Sequence, residues 1–304
     1  MVLAPRLSAG DLLPRCIPNR APAERARPGS TVRGEFVDVG GARLYYYAAG
    51  SRGAGEPLVL IHGFPTSGHL WNEVVPLLPP GHRTVVLDLL GYGRSDWPGA
   101  AGLGVHAHAD RVLALMDALG IREAAVIGHG LGGGVAQSLA VRFPARVSRL
   151  ALVSAVAFDA GPTQRARMYR RLTALGRLLP PSWLQSIVRT SFLSGYANPA
   201  QGAHSLELYA RAFDGTDGRD ALLNHVRALR PDETAALAPR LAALRCPTAV
   251  VWGRGDPFLP VALGERLRDA IPGASLDVLP TARHYVPEDT PAALSAVLAH
   301  LLAR

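Results

Sequence analysis

An aspartate and a histidine near the carboxyl end of the chain are the residues best suited to move a proton. Asp256 and His284 each lie in a loop close after an apolar run. An imidazole that is oriented by a carboxylate is a common general base, which removes a proton from a hydroxyl, a water or a substrate carbon. The two residues can form such a dyad only if the fold brings their loops together.

A glycine-rich turn in the middle of the chain has the spacing of a turn that carries a nucleophile. Gly128–Gly132 lies after an apolar run and before a helical one, and the middle position of a G-x-S-x-G turn holds the attacking side chain. Here the middle residue is Gly130, which has no oxygen with which to form a covalent intermediate. Glycine tolerates positive φ, so this replacement relieves backbone strain.

The same turn also satisfies a weaker pattern. Gly128, Gly130 and Gly133 have the G-x-G-x-x-G spacing of a dinucleotide-binding loop. That loop belongs to the first strand–helix–strand unit of its fold, whereas several predicted strands precede this one. We therefore favour the nucleophile turn.

The apolar pattern along the chain predicts an α/β fold. Strands are predicted at Glu35–Val39, Arg43–Ala48, Pro57–His62, Thr84–Asp88, Ala124–Ile127, Arg149–Val153, Thr248–Trp252 and Ser275–Leu279. Helices are predicted at Trp71–Leu78, His106–Leu119 and Leu131–Phe143, and two more are predicted near Val261–Ala270 and Pro291–Leu302. Apolar strands that alternate with helices are typical of a parallel sheet covered on both faces. Between residues 157 and 235 the pattern is helical, which indicates an insertion within one α/β domain.

The composition limits the classes of partner. The 304 residues carry a net charge of +8, all 32 basic side chains are arginine, and 48% of the residues are hydrophobic. The arginines form no stripe interleaved with aromatic residues, so we expect no nucleic acid partner. No apolar run reaches the ~18 residues of a membrane span, so we expect no membrane association. Residues 1–34 lack a continuous apolar stretch, and we interpret them as the irregular leader of a cytoplasmic protein.

Neither a metal nor a cofactor is expected. Cys16 and Cys246 have no paired spacing, which argues against both a disulfide framework and a thiolate metal site. The histidines other than His284 lack carboxylate or thiol partners at the spacing of metal ligands. We expect a small-molecule substrate and a monomer or homodimer.

Four further motifs resemble those of the α/β-hydrolase superfamily. His62–Pro65 is similar to its oxyanion-loop motif, and Asp88–Asp96 is similar to its DxxGxGxSD loop. Val251–Pro260 resembles the WGxxDxxxP acid loop, and Ala282–Glu288 resembles the histidine loop. The turn at Gly128–Gly133 is most similar to the GHDLGG or GHSLGG turns of capped hydrolases. The chain order of turn, aspartate and histidine is also that of the superfamily.

The resemblance implies an α/β-hydrolase fold, with a mostly parallel eight-stranded sheet flanked by helices and an inserted helical cap. It covers about residues 35–155 and 236–304. The expected division is a leader at 1–34, a core at 35–156 and 236–304, and a cap at 157–235 over the pocket.

The resemblance also implies roles for single residues. His284 is the expected base, and Asp256 orients it and stabilises its charge. The backbone N–H groups of Phe64 and Leu131 are the expected oxyanion hole. The position of Gly130 carries serine or aspartate in relatives of this fold. Aromatic and histidine side chains that we expect to bind substrate are His62, Tyr169, Trp183, Tyr196 and Tyr209.

Two of those expectations have structural alternatives. His62 could shape its loop through hydrogen bonds instead of contacting substrate. The tyrosines could pack within the cap instead of lining the pocket.

Three functions remain open from the sequence. The first is an enzyme without a covalent nucleophile, in which His284 and Asp256 perform acid/base chemistry as an isomerase, cyclase, lyase or direct-water hydrolase, in specialised metabolism. The second is an ordinary ester, epoxide or halide hydrolase inactivated by replacement of its nucleophile with Gly130. The third is a pseudoenzyme that binds a ligand in the capped pocket.

Overall fold

The computed structural model describes residues 34–50, 55–97, 102–159, 180–210, 213 and 215–304. Within these residues one sheet is formed by the strands β1 (Gly34–Val39), β2 (Ala42–Ala49), β3 (Leu58–Ile61), β4 (Thr84–Leu87), β5 (Ala124–His129), β6 (Val147–Val153), β7 (Thr248–Gly253) and β8 (Ser275–Leu279). The strand order is β1-β2-β4-β3-β5-β6-β7-β8. The pairs β1–β2 and β2–β4 are antiparallel, and the other pairs are parallel. The predicted mostly parallel, eight-stranded sheet is confirmed.

The middle of the sheet is buried because its residues are apolar or small. Every residue of β3, β4, β5 and β7 is buried. Such strands need cover on both faces, which the helices provide. Parallel strands end at the same edge, so the loops that follow β3, β5 and β7 meet at the carboxyl edge of the sheet.

The helices follow the predicted pattern closely. In the described residues they are α1 (Val105–Ala118), α2 (Leu131–Arg142), α3 (Pro181–Ser194), α4 (Pro199–Ala210), α5 (Gly215–Ala228), α6 (Pro231–Leu237), α7 (Val261–Ala270), α8 (Val286–Asp289) and α9 (Pro291–Leu302). Helices α3 to α6 lie in the inserted segment between β6 and β7. For the part of the chain that is described, no helix combines the length and the apolar character needed to cross a membrane.

The prediction was wrong at two places. The segment predicted as one helix, Trp71–Leu78, contains the end of a 3₁₀ helix at Gly68–Trp71 and a second one at Val75–Leu77. Pro76 has no N–H for an α-helical hydrogen bond, which explains the interruption. Gly34, assigned to the leader, begins β1. Residues 1–33 lie outside the described part of the chain.

The inserted helices pack on the sheet. Phe192 of α3 and Tyr209 of α4 belong to the same buried apolar cluster as Ile127 of β5 and Tyr285. The inserted segment therefore contacts the core beside the loop that carries His284.

Candidate active site

Gly130 forms the turn between β5 and α2 with φ +55° and ψ −118°. Residues with a side chain rarely adopt this φ, whereas glycine does so without steric cost. The Gly130 N–H donates to the carbonyl of Val153 at 3.1 Å, and its own carbonyl accepts the N–H of Val156 at 3.0 Å. The turn is thus fixed to the end of β6.

The flanking glycines are required by the space around them. A Cβ on Gly128 would lie 2.2 Å from the carbonyl oxygen of Gly132. A Cβ on Gly132 would lie 2.4 Å from the carbonyl oxygen of Ile61. Both neighbours are backbone atoms, so neither position can carry a side chain without moving the chain.

The central glycine has more room, and its side-chain direction points at the histidine. A Cβ on Gly130 would lie 3.6 Å from Gly63 Cα and 3.8 Å from His284 Nε2, which are ordinary contacts. The position from which a nucleophile would project therefore faces the imidazole.

His284 and Asp256 meet in a buried hydrogen bond. His284 Nδ1 lies 2.8 Å from Asp256 Oδ2, and the side chains are 7% and 0% exposed. Asp256 Oδ1 accepts the backbone N–H groups of Phe258 at 2.8 Å and Leu259 at 3.0 Å. An ionised carboxylate can only accept, so the Nδ1–H donates, and in the neutral ring the lone pair lies on Nε2, on the side of Gly130.

The charge of Asp256 follows from the same contacts. Burial raises the pKa of the Asp256 carboxyl, but the adjacent His284 and the hydrogen bonds from the Leu259 and Phe258 N–H groups outweigh burial and leave the pKa below its usual value. The carboxylate is therefore ionised at neutral pH and stabilises positive charge on the imidazole.

The two amides expected to form an oxyanion hole lie near Gly130, one at the start of α2 and one in the loop after β3. Leu131 is the first residue of α2, so its N–H has no carbonyl partner one turn earlier. Phe64 follows Gly63, on which a Cβ would lie 2.8 Å from the carbonyl oxygen of His129. The helix N-terminus also contributes positive partial charge. This arrangement could stabilise negative charge on a carbonyl oxygen.

The strand order, the turn after β5 and the acid and histidine loops after β7 and β8 are found together in one family. The family described as alpha/beta hydrolase fold matches residues 56–291. The chain belongs to the α/β-hydrolase family. The resemblance found in the motifs is thereby confirmed.

Individual α/β hydrolases match most of the chain. The 2-hydroxy-6-oxononadienedioate/2-hydroxy-6-oxononatrienedioate hydrolase of Paraburkholderia xenovorans is 30% identical over 253 residues, which cover 81% of this chain and 86% of the relative. The cis-3-alkyl-4-alkyloxetan-2-one decarboxylase of Shewanella oneidensis is 27% identical over 282 residues, covering 88% and 86%. The crystal structure of an α/β-hydrolase-fold protein from Burkholderia ambifaria has a TM-score of 0.81 at 28% identity, covering 88% and 97%.

In this α/β hydrolase both ring nitrogens of His62 are occupied by backbone groups. Nδ1 lies 2.9 Å from the carbonyl oxygen of Gly63, and Nε2 accepts the N–H of Leu89 at 2.9 Å. Burial lowers the pKa of His62 to about 4, so the ring is neutral at pH 7. The contacts favour the alternative in which His62 shapes the oxyanion loop.

The aromatic residues expected to bind substrate differ in their surroundings and in their exposure. The hydroxyls of Tyr196 and Tyr209 both donate to the buried carboxylate of Glu288 at 2.7 Å. Because these hydroxyls are buried and engaged, the contacts favour the alternative in which the two tyrosines pack within the cap, and substrate binding by them stays a prediction. Trp183 is 66% exposed on α3, and its role stays a prediction. Tyr169 lies outside the described residues.

Two residues beside the dyad were not predicted to act on it. Glu288 was noticed only as the last residue of the histidine-loop motif, and the sequence carries no local signal that could have identified its role. His129 donates from Nε2 to the carbonyl oxygen of His284 at 3.0 Å. Burial lowers the pKa of His129 to about 3, so its ring is a neutral donor.

The described residues contain no group of three or more histidine, cysteine, aspartate or glutamate side chains placed to hold a metal ion. The expectation of an enzyme without metal or cofactor stays a prediction.

Proposed function

We propose that this α/β hydrolase is an enzyme that performs non-covalent acid/base chemistry on a small organic substrate. The observation that carries the proposal is the separation of 3.8 Å between His284 Nε2 and the place where a Cβ of residue 130 would stand. Glycine leaves that place to a water or to the substrate itself. Deleting a Cβ and an Oγ frees about the volume of one water, ~30 Å³.

His284 is placed to accept the proton. Its Nε2 faces the reacting group while Nδ1–H stays bonded to Asp256, whose ionised carboxylate stabilises the imidazolium that forms. If the proton comes from a carbon next to a carbonyl, the product is an enolate. If it comes from a water, the hydroxide attacks the substrate directly.

Negative charge then develops on a carbonyl oxygen. The N–H groups of Phe64 and Leu131 are the donors that we assign to that oxygen. Preorganised amide donors of this kind lower the barrier because they need no reorganisation during the reaction. Isomerisation, cyclisation, elimination and direct hydrolysis all fit this scheme.

The names of two relatives support a carbonyl substrate. One relative is named as a hydrolase of a 6-oxo dioate and the other as a decarboxylase of an oxetan-2-one, and both compounds contain a carbonyl group. Loss of carbon dioxide is not a net hydrolysis, so reactions in this family extend beyond ester cleavage.

A screen in heavy water tests the proposal. Small ketones, oxo acids, esters and lactones are incubated with the protein, and deuterium uptake and product formation are followed by mass spectrometry. We expect His284→Ala to slow the reaction of any substrate found by about 10²–10⁴-fold, the usual share of a general base. His300→Ala, an exposed change on α9, is the matched control and should leave the rate unchanged.

Three outcomes would contradict the proposal. Equal rates for the wild type and His284→Ala would remove the base from the mechanism. Saturable binding of a panel compound with no reaction of any compound would favour the ligand-binding pseudoenzyme. A large gain of ester, epoxide or halide hydrolysis in Gly130→Ser or Gly130→Asp would favour an ordinary hydrolase that has lost its nucleophile.

A further inference from the structure

A buried cluster of hydroxyl groups joins the inserted helices to the histidine loop. Glu288 of α8 is 8% exposed, and its Oε2 accepts hydrogen bonds from the hydroxyls of Tyr196 at 2.7 Å and Ser205 at 2.6 Å. Its Oε1 accepts the hydroxyl of Tyr209 at 2.7 Å. These four residues are called the hydroxyl clamp below. Ser205 and Tyr209 are one turn apart on α4, so they present their hydroxyls on one face of that helix.

The clamp has the chemistry of a strong contact. A buried carboxylate is stable only when donors satisfy its oxygens, and hydrogen bonds to a charged acceptor are stronger than neutral ones. Burial raises the pKa of Tyr196 and of Tyr209 above the usual tyrosine value, and so does the adjacent Glu288 charge. Both hydroxyls therefore stay protonated and remain donors.

The same helices hold the backbone of the base directly. Gly195, which ends α3, accepts the N–H of His284 at 2.9 Å and that of Tyr285 at 3.3 Å through its carbonyl oxygen. On the other side, the carbonyl of His284 accepts the Nε2–H of His129 at 3.0 Å. The backbone of His284 is thus held between the inserted segment and the core.

Side-chain packing leaves little freedom at this junction. A Cβ on Gly195 would lie 2.6 Å from the Tyr285 ring and 2.8 Å from the Phe258 ring. Phe258 in turn stands edge-on to the His284 ring at 5.0 Å between centroids. A shift of the α3 end would therefore reach the imidazole through both the backbone and the aromatic rings.

The neighbouring carboxylate makes a second tie across the junction. Asp289 accepts the N–H of Ala197 at 3.0 Å with one oxygen and the N–H of Arg283 at 2.8 Å with the other. The Asp289 carboxylate therefore links Arg283, the residue before the base, to Ala197 in the segment that follows α3.

We infer that the hydroxyl clamp positions the base, because it holds the inserted helices beside Gly195, whose carbonyl oxygen fixes the backbone of His284. Tyr196, Ser205, Tyr209 and Glu288 are positioning residues in this account, and none of them contacts substrate. The inference rests on the proposed function only in taking His284 as the base, and it can be tested without a substrate.

The test observes the hydrogen bond between His284 and Asp256 by proton NMR. The proton on His284 Nδ1 should give a resonance far downfield, which is assigned by its loss in His284→Ala. In Glu288→Gln the negative charge is lost and one acceptor oxygen is replaced by an NH2 donor, so the three hydroxyls lose their charge-assisted hydrogen bonds and the loop loosens. We expect that proton to exchange with water about tenfold faster, as when a hydrogen bond to a charged group is lost.

A milder variant and a matched control accompany the first change. Tyr209→Phe removes one hydroxyl but keeps the ring, and it should give a smaller acceleration in the same direction. Tyr46→Phe removes another 2.7 Å tyrosine–glutamate hydrogen bond, to Glu35 at the far edge of the sheet, and should leave the resonance unchanged.

Two outcomes of the exchange measurements would overturn the inference. Unchanged exchange in Tyr209→Phe, or in Glu288→Gln that retains its fold, would overturn the clamp. Equal acceleration in Tyr46→Phe would assign the effect to general loss of stability and would also overturn it. Failure of the proposed function would be seen in a different experiment, the heavy-water screen, as equal turnover by the wild type and His284→Ala.

Discussion

Replacing Gly130 by alanine tests whether the space in front of His284 is used. The backbone at this position has φ +55°, and holding a residue with a side chain there costs about 1–3 kcal/mol. The added methyl meets only Gly63 Cα at 3.6 Å and His284 Nε2 at 3.8 Å, so no clash adds to that cost. For a chain of this size the loss corresponds to a fall in Tm of about 2–5 °C.

The effect on activity has a separate origin. A proton donor must approach Nε2 to about 3 Å, and a methyl group fixed at 3.8 Å occupies the same direction. We expect Gly130→Ala to lower kcat by at least about 10²-fold on the substrate found by the heavy-water screen, which is the lower bound of a general base's share. The assays are thermal unfolding by circular dichroism and turnover under saturating substrate.

Gly120→Ala is the matched control. Gly120 follows α1 with φ +67°, and a Cβ there would meet nothing within 4 Å. Both variants should lose similar stability, but only Gly130→Ala should lose activity. Full activity of Gly130→Ala would refute the claim that the reaction takes place in the space beside residue 130.

Three further predictions concern buried ionisable groups. His225 stacks on Tyr92 with ring centroids 4.0 Å apart, its ring nitrogens have no partner among the described residues, and burial lowers its pKa from 6.5 to about 3. Between about pH 3 and pH 6.5 only the unfolded chain binds this proton, so the free energy of unfolding decreases as the pH is lowered through that window. In urea unfolding, His225→Phe should reduce that slope by about 1.4 kcal/mol per pH unit, and an unchanged slope would refute the reasoning. Asp256→Asn should lower turnover by about 10⁴-fold, because the His284 tautomer changes, and normal turnover would contradict the dyad. Because the pKa of Asp256 is lowered by folding, its stabilisation is complete above the unfolded pKa and is lost as pH falls through the folded one, so Asp256→Asn should flatten acid unfolding there.

The elements of the fold could be read from the sequence where local pattern and tertiary structure agree. The helices at Val261–Ala270 and Pro291–Leu302 and the strand at Ser275–Leu279 have the predicted bounds. Apolar periodicity and a proline or glycine close to the first residue decide such segments. The prediction of one helix at Trp71–Leu78 was wrong because Pro76 interrupts the helix despite the apolar pattern of the segment.

The dyad and the turn could be proposed from the sequence because their motifs are local and ordered along the chain. The sequence did not reveal which side chains of the inserted segment contact which residues of the core. The partner of Tyr196 and Tyr209 is Glu288, far along the chain, and the packing of the inserted segment on the histidine loop brings them together. The aromatic stack around His225 likewise joins distant segments, so no spacing rule reveals it.

The central claim is that the imidazole of His284 faces the place where a side chain of residue 130 would stand. The variant Gly130→Cys tests this claim directly. A cysteine there should form an ion pair with His284, so we expect its thiol pKa, from the pH dependence of alkylation, to lie at least about one unit below the usual ~8.5. His284→Ala in the same chain should remove that shift. Burial raises the pKa of the native Cys246, which makes it a slow internal reference. A normal thiol pKa in a folded Gly130→Cys variant, or a low one that survives His284→Ala, would contradict the account.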